Sequence, residues 1–345
     1  MASEKLIQAL QKPDAYPEPT NNIRLVQTHI SWVFICDEFV YKLKKPVNFG
    51  FLDFSTLDKR KHYCHQEVTL NKKLADDVYL GVFPVVEAGE GYKILGEGEA
   101  GAEAVEYAVK MRVIPDEVLL INRFKAGKLN ERDIERTAKA IADFHATAEH
   151  SEEINKFGSL ETVKFNTDEN FQQTEEFIGR AITKEQFEEL KSWTDDFYEH
   201  QAGLFQERID AGRIKDCHGD LHMQHICLTE PIKIIDCIEF NDRFRYSDTA
   251  SDVAFLLMDL EYHGGKAQAE QLFKYYQEYS GEKGEELELI MKYYKIYRAY
   301  VRGKVTSFQL NDPNISEAKK EEAQKTAQKY FELAHSYIKR NSREV

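Results

Sequence analysis

The densest chemistry in the sequence lies in Cys217-His-Gly-Asp-Leu-His-Met-Gln-His-Ile-Cys-Leu228, where three histidines and an aspartate fall within residues 218–225. This polar stretch sits between apolar runs. It is followed by Ile234-Ile-Asp-Cys-Ile-Glu-Phe240, a hydrophobic run that ends on Asp236. A β-hairpin turning at Thr229-Glu-Pro231 would return Asp236 to the neighbourhood of Asp220. Two carboxylates facing one cavity suit a divalent metal and acceptance of a proton from a hydroxyl nucleophile. A second chemistry is open on the same residues. His218, Asp220, His222 and His225 have the H-x-D-x-H character of zinc-dependent hydrolases. Such sites draw further ligands from distant segments, and after His225 the chain offers only His263 and His335, both in helical surroundings.

The elements that must position these residues are legible on both sides of them. Residues 23–30, 32–36 and 39–43 are short β-branched or aromatic runs, with Asp37-Glu38 as a tight turn between the last two. A helix is predicted over 57–74, because Cys64, Val68, Asn71 and Ala75 share a face. Strands are predicted over 79–86 and 104–111, with an acidic loop tip at 96–101 between them. After Pro115 the pattern turns helical. Asn130 with Asp133 and Thr183 with Gln186 mark capped helix starts, and Gly212 marks a stop. Strand character returns briefly between 213 and 240. Beyond Asp248 the chain reads as helix throughout, with Ile290, Tyr293, Tyr297, Val301, Lys304 and Phe308 as one stripe. Asp248 reads as a helix cap and Asp252 as an internal hydrogen-bond partner. His218 and His222 read as structural members of the loop.

His218-Gly-Asp220 followed by Asp236 resembles the catalytic core of the aminoglycoside phosphotransferase family, within the wider protein-kinase-like fold. Kinases of this type carry H-x-D-x-x-x-x-N and then a strand ending in a metal-binding aspartate. Arg245-Tyr-Ser-Asp-Thr-Ala-Ser-Asp252 resembles the element that follows, Val40-Tyr-Lys42 the third-strand lysine segment, and Ile141-Ala-Asp-Phe-His-Ala146 the helix before the catalytic loop. Val40-Tyr-Lys-Leu-Lys-Lys-Pro46 and Phe49-Gly-Phe-Leu-Asp-Phe54 resemble a less-characterised branch often joined to a phosphate-loop nucleoside-triphosphatase domain. No G-x-x-x-x-G-K-[ST] occurs in the sequence, so the expectation is a kinase-like part acting alone.

The resemblance implies an α+β, two-lobed protein-kinase-like fold. Residues 1–112 would form a small β-rich nucleotide-binding lobe, and 113–345 a larger helical lobe with the catalytic loop and substrate site. The implied reaction is transfer of the γ-phosphoryl group of ATP to a hydroxyl of a sugar, amino alcohol or aminoglycoside-like acceptor. Asp220 would accept the hydroxyl proton, Asp236 would hold Mg2+ against the phosphates, and Lys42 would contact the phosphates through an ion pair with Glu67. Lys44 shares a strand face with Lys42 and is the alternative lysine. Two departures stand out. His225 occupies the position where the pattern has Asn, so the metal would be held by His225, by Asp236 and water, or with help from Glu239. No G-x-G-x-x-G flap is present around 28–32. A non-catalytic nucleotide-binding module is the alternative that His225 supports. Neither D-F-G nor A-P-E is found, and Asp236-Cys-Ile-Glu-Phe240 belongs with small-molecule kinases rather than protein kinases.

Composition sets the outer limits. The chain has 345 residues, 42% hydrophobic and 12% aromatic, enough for a sizeable core and about two domain equivalents of length. A net charge of −14 argues against nucleic-acid binding through bulk phosphate attraction, and gives a slight leaning toward a cationic acceptor. Five cysteines without a CxxC pair argue against a disulfide scaffold. The first residues lack a secretion signal, and the apolar run at 253–258 is far too short for a membrane span. A cytoplasmic location, no membrane association and no partner chain are the resulting expectations.

Overall fold

Six strands form one antiparallel sheet in the order β1-β2-β3-β6-β4-β5, where β1 is Arg24–Gln27, β2 Ser31–Ile35, β3 Phe39–Lys44, β4 Tyr79–Ala88, β5 Gly91–Ile94 and β6 Ala104–Arg112. The computed structural model describes residues 2–97, 99, 103–313 and 315–339. Residues 98, 100 and 101 of the expected acidic loop tip lie outside them. The class is α+β, as expected: a β-rich first third and a mostly helical remainder.

Alternation along β3 sets the two faces of the sheet. Tyr41 and Leu43 point to one side and are fully buried with Phe34, Val85 and Ala108. Leu6 and Leu10 of the N-terminal segment complete that core. Lys42 and Lys44 point to the other side. There the helix Leu57–Ala75 packs Cys64, Val68 and Ala75 against Tyr79 and Val109. Its start is fixed by Thr56, whose hydroxyl accepts from the Lys59 amide. The first strand is shorter than the predicted 23–30. The Thr28 hydroxyl accepts the backbone amides of Ile30 and Ser31, and so turns the chain out of the ladder.

The helices of the remainder include Glu131–Thr147, Leu160–Thr174, Lys184–Asp210, Thr249–Tyr262, Lys266–Ser280, Glu285–Ser307 and Glu317–Lys339. Both predicted capping boxes form: Asn130 with Asp133, and Thr183 with Gln186. Their core gathers Phe171, Phe177, Phe187, Phe255, Met258 and Phe331. Ile226–Cys227 pairs with Lys233–Ile234 as the expected hairpin. Ile214–Asp216 instead pairs with Tyr246–Asp248, a strand that the polar sequence there does not announce. Among the described residues no helix is long and apolar enough to cross a membrane.

The chain groups into two compact units, residues 1–126 with 224–242, and residues 127–223 with 243–345. The hairpin that leads to Asp236 therefore belongs with the sheet, whereas the loop bearing Asp220 belongs with the helices.

Within the second unit, Gly303 lets Glu285–Ser307 approach Glu317–Lys339 closely. A Cβ at this position would lie 2.9 Å from the ring of the fully buried Phe331. Gly303→Ala should therefore destabilise the helical unit by about 1–3 kcal/mol through overpacking. Urea unfolding should show a lower midpoint at unchanged m-value, and an unshifted midpoint would remove the close approach as a constraint.

Candidate active site

In the first unit, five charged side chains form one chain of contacts. Glu67 is fully buried on Leu57–Ala75 and receives two ammonium groups. Lys42 Nζ lies 2.8 Å from Glu67 Oε1, and Lys44 Nζ lies 2.7 Å from Oε2. Each lysine then reaches a second acid: Lys42 meets Asp236 Oδ1 at 2.8 Å, and Lys44 meets Glu239. The ring of Phe54 lies 4.8 Å from Lys44 Nζ and closes the inner end. Burial alone would push the Glu67 carboxyl up, but Lys42 and Lys44 outweigh it and hold the group below its ordinary range. Burial opposes the charge on Lys42 too, yet Asp236, Glu67 and Glu239 keep its ammonium well above the usual lysine range. Glu239 goes the other way, because burial lifts its carboxyl more than Lys44 lowers it.

Asp236 stands at the outer end of this chain with its side chain 44% exposed, against 15% for Lys42. It has φ +62°, the single positive value at a non-glycine residue among those described. A left-handed backbone at a residue with a Cβ is held only when its surroundings over-determine it. Here they do. The Asp236 amide donates to the Tyr79 hydroxyl at 3.0 Å, and the next amide, Cys237, donates to Asn71 Oδ1 at 2.9 Å. Asn71 in turn donates to the Glu67 carbonyl at 2.9 Å, so helix and loop are tied directly. The signal for Asn71 was present in the sequence as a polar residue inside an otherwise apolar stripe. Nothing in the sequence pointed to Tyr79.

His225 Nε2 lies 3.6 Å from Asp236 Oδ2, and the His225 carbonyl accepts the Ile235 amide at 2.9 Å. Of the three residues expected at a metal, Asp236 carries the accessible carboxylate oxygen that a hard divalent cation such as magnesium takes. His225 stands beside it, and Glu239 is turned inward against Lys44.

In the second unit, the loop before Met223 is held by its backbone. Asp252 is fully buried on Thr249–Tyr262 and accepts the amides of His218 at 2.7 Å and Gly219 at 2.9 Å. Arg298 donates to the Gly219 carbonyl at 2.8 Å and to the Ser251 hydroxyl at 3.0 Å. Asp259 accepts the Met223 amide at 3.0 Å. Within the loop, His218 Nδ1 accepts the Asp220 amide at 3.3 Å, and Gly219 takes φ +85°. Burial would raise the Asp252 carboxyl, but the nearby His145, then the charges of His218 and Arg298, keep it below its ordinary range. The Asp220 side chain remains 32% exposed, 3.4 Å from His222 Nε2. Asp248 caps its helix through the Ala250 amide, as expected from the sequence. It also takes a bidentate ion pair from Arg208 at 2.6 and 2.8 Å. Asp259 and Arg298 were not anticipated, since neither belongs to a local pattern.

Comparison with known proteins points one way. The model of a family described as the phosphotransferase enzyme family matches residues 64–287, a span that includes Glu67, Asp220 and Asp236. Curated relatives from Mycobacterium bovis and Mycobacterium tuberculosis, each described as an uncharacterized protein, are 31% identical over 297 residues. The alignment covers 85% of this chain and 56% of each relative, so the chain spans about half the length of the relatives it matches. A choline/ethanolamine kinase family protein from Mesorhizobium loti has a TM-score of 0.52 at 13% identity, covering 98% of both chains. The microcompartment-associated aminopropanol kinase has a TM-score of 0.52 at 15% identity, covering 96% of both. At such identities the likeness is one of fold.

The clamp on the loop has a pH signature. Because the folded Asp252 carboxyl titrates below its unfolded value, the unfolded chain takes up that proton first. Its stabilisation is thus present above the ordinary carboxylate range and is lost as pH falls through the depressed folded value. Asp252→Asn replaces an acceptor of two amides with a group whose NH2 faces one of them. It should cost about 1–3 kcal/mol for the donor left unsatisfied and flatten the acid limb of stability against pH. Chemical unfolding from neutral to acid pH, with both proteins losing stability in parallel, would exclude the clamp.

Proposed function

We propose that this chain, which belongs to the phosphotransferase enzyme family, transfers the γ-phosphoryl group of ATP to a hydroxyl group of a small molecule. The observation that carries this reading is Lys42, held between the fully buried Glu67 and the half-exposed Asp236. Such a lysine is fixed in position and fully charged, which is what contact with phosphate oxygens requires. Lys44 meets a different second acid, Glu239, deep in the cluster, and would neutralise Glu67 and Glu239 rather than touch the nucleotide.

In the proposed reaction the acceptor oxygen bonds to the γ-phosphorus as the bond to the β,γ-bridging oxygen breaks. The hydroxyl proton passes to Asp220, and ADP leaves with the electron pair of the broken bond. Asp220 suits the task because its backbone is clamped while its carboxylate remains accessible. Asp236 would hold magnesium, with His225 beside it; the ion supplies positive charge that neutralises the phosphates. Positioning and charge neutralisation carry most of the work of phosphoryl transfer, and these residues supply both. Under this reading the nucleotide roles fall to the sheet-bearing unit, which includes the proposed lobe 1–112, and proton acceptance falls within 113–345.

His225 in place of an amide favours one further reading, a module that binds nucleotide without turning over an acceptor. Asp220→Asn separates the two. It should lower acceptor-dependent ADP release by about 10²–10⁴-fold, while ATP and magnesium still raise the thermal midpoint of the variant. Undiminished transfer in Asp220→Asn would sink the proposed role. Nucleotide-induced stabilisation without turnover of any hydroxyl compound by the wild type would establish the binding module.

A further inference from the structure

We propose that the acceptor carries an anionic group, a carboxylate or a phosphate, close to its reacting hydroxyl, and that Arg302 binds that group. The inference rests on the reading of Asp220 as the residue that takes the hydroxyl proton.

Arg298 and Arg302 are one helical turn apart on Glu285–Ser307 and so project from the same face. Arg298 is committed to the catalytic loop through Gly219 and Ser251. Arg302 is partly buried, and no carboxylate among the described residues forms an ion pair with it. Its guanidinium instead lies 6.0 Å from the centre of the Phe255 ring and 5.6 Å from that of Tyr330. Phe255 also packs against His222 at 5.5 Å, and His222 contacts Asp220 at 3.4 Å. A continuous run of contacts therefore leads from Asp220 through His222 and Phe255 to Arg302. The Tyr330 hydroxyl, hydrogen-bonded to the guanidinium, and the charges of Asp220 and Asp259 help keep it protonated against burial, which places both carboxylates within electrostatic reach. Neither completes a bidentate pair with it.

The aromatic groups in this neighbourhood could in principle cage an ammonium acceptor, but the protein's own cations are already on them. Arg298 lies 5.0 Å from the Phe255 ring centre, Arg302 lies over Phe255 and Tyr330, and Lys329 lies 4.1 Å from Tyr262. Tyr262 and Tyr330 are stacked on each other at 3.8 Å. A cationic acceptor would find these rings occupied and would meet two guanidinium groups of like charge. An anionic acceptor would meet a planar donor fork that lacks its usual partner. Under this proposal the acceptor is anionic, against the slight leaning toward a cation drawn from net charge.

The test is ADP release with ATP and magnesium over matched acceptors: glycerol and glucose, ethanolamine and choline, D-glycerate and glucose 6-phosphate. At least tenfold higher kcat/KM for an anionic member is expected, and the ratio of glycerate to glucose 6-phosphate separates carboxylate from phosphate recognition. Arg302→Gln should lower kcat/KM for the preferred anion at least tenfold, mainly through KM, and Arg302→Lys should recover part of it; circular dichroism checks that both variants fold. Calorimetric titration of D-glycerate and inorganic phosphate into nucleotide-free enzyme supplies a readout without turnover. Preferred turnover of a neutral or cationic acceptor, unaffected by Arg302→Gln, would overturn the anion site and leave the kinase reading standing. Anion binding that Arg302→Gln abolishes, with no acceptor phosphorylated, would do the reverse. Neither anion binding nor turnover would overturn both.

Discussion

The carboxylate of Glu67 has no contact with water, and removing an ionised group from water costs several kcal/mol even after the protein relaxes around it. What offsets that cost is a pair of ammonium groups at 2.7 and 2.8 Å, one on each oxygen. The first unit is arranged around this requirement. Two lysines can reach one carboxylate only if they leave the same face of a strand, so Tyr41 and Leu43 between and beside them must face the opposite core. The strand must also lie against the helix at the level of Glu67. Lys42 then carries the constraint outward to Asp236, and Asn71 carries it through the backbone to Cys237. Strand, helix and loop are thereby mutually dependent, and the left-handed backbone at Asp236 is tolerated because all three hold it.

The loop before Met223 is positioned by different means. Asp252, Arg298 and Asp259 take up its backbone amides and a carbonyl, and the Asp220 side chain remains 32% exposed. The two arrangements suit different tasks. A lysine that contacts phosphates must stay charged, and its acidic neighbours ensure that. A proton acceptor must hold a fixed position while its carboxylate stays within reach of the hydroxyl.

Local signals in the sequence identified local structure. The capping boxes at Asn130 and Thr183 formed because each involves residues only three apart. The apolar stripe Cys64-Val68-Ala75 located its helix within a residue at the C-terminal end. The choice between Lys42 and Lys44 was not legible, since a period of two places both on one face. The distinction lies in their second partners, Asp236 and Glu239, which are 194 and 195 residues away in sequence. Arg302 is not legible in the sequence for a related reason. The stripe through Tyr293 and Tyr297 reads as core, and the adjacent face with Arg298 and Arg302 acquires meaning only from the loop and rings that it meets.

Net charge is the sequence property that says least about either group of residues. The chain is acidic at −14, yet screening at physiological ionic strength confines a surface charge to about 8 Å, so each site responds to its own neighbours. The buried cluster has two ammoniums against the three carboxyl groups of Asp236, Glu67 and Glu239, so it offers no surplus positive charge to a polyanionic nucleotide. Under the proposed function, a divalent ion at Asp236 is therefore needed to change the sign of the local field, and Lys42 alone would not suffice. Around Asp220 the charged groups are engaged differently. Asp252 and Asp259 are engaged by loop amides, Arg298 by the loop carbonyl, and Arg302 retains a guanidinium without a carboxylate partner. Under the proposed anion site, an acceptor that brings its own negative charge would give that guanidinium the anionic partner it lacks, which an ammonium could not.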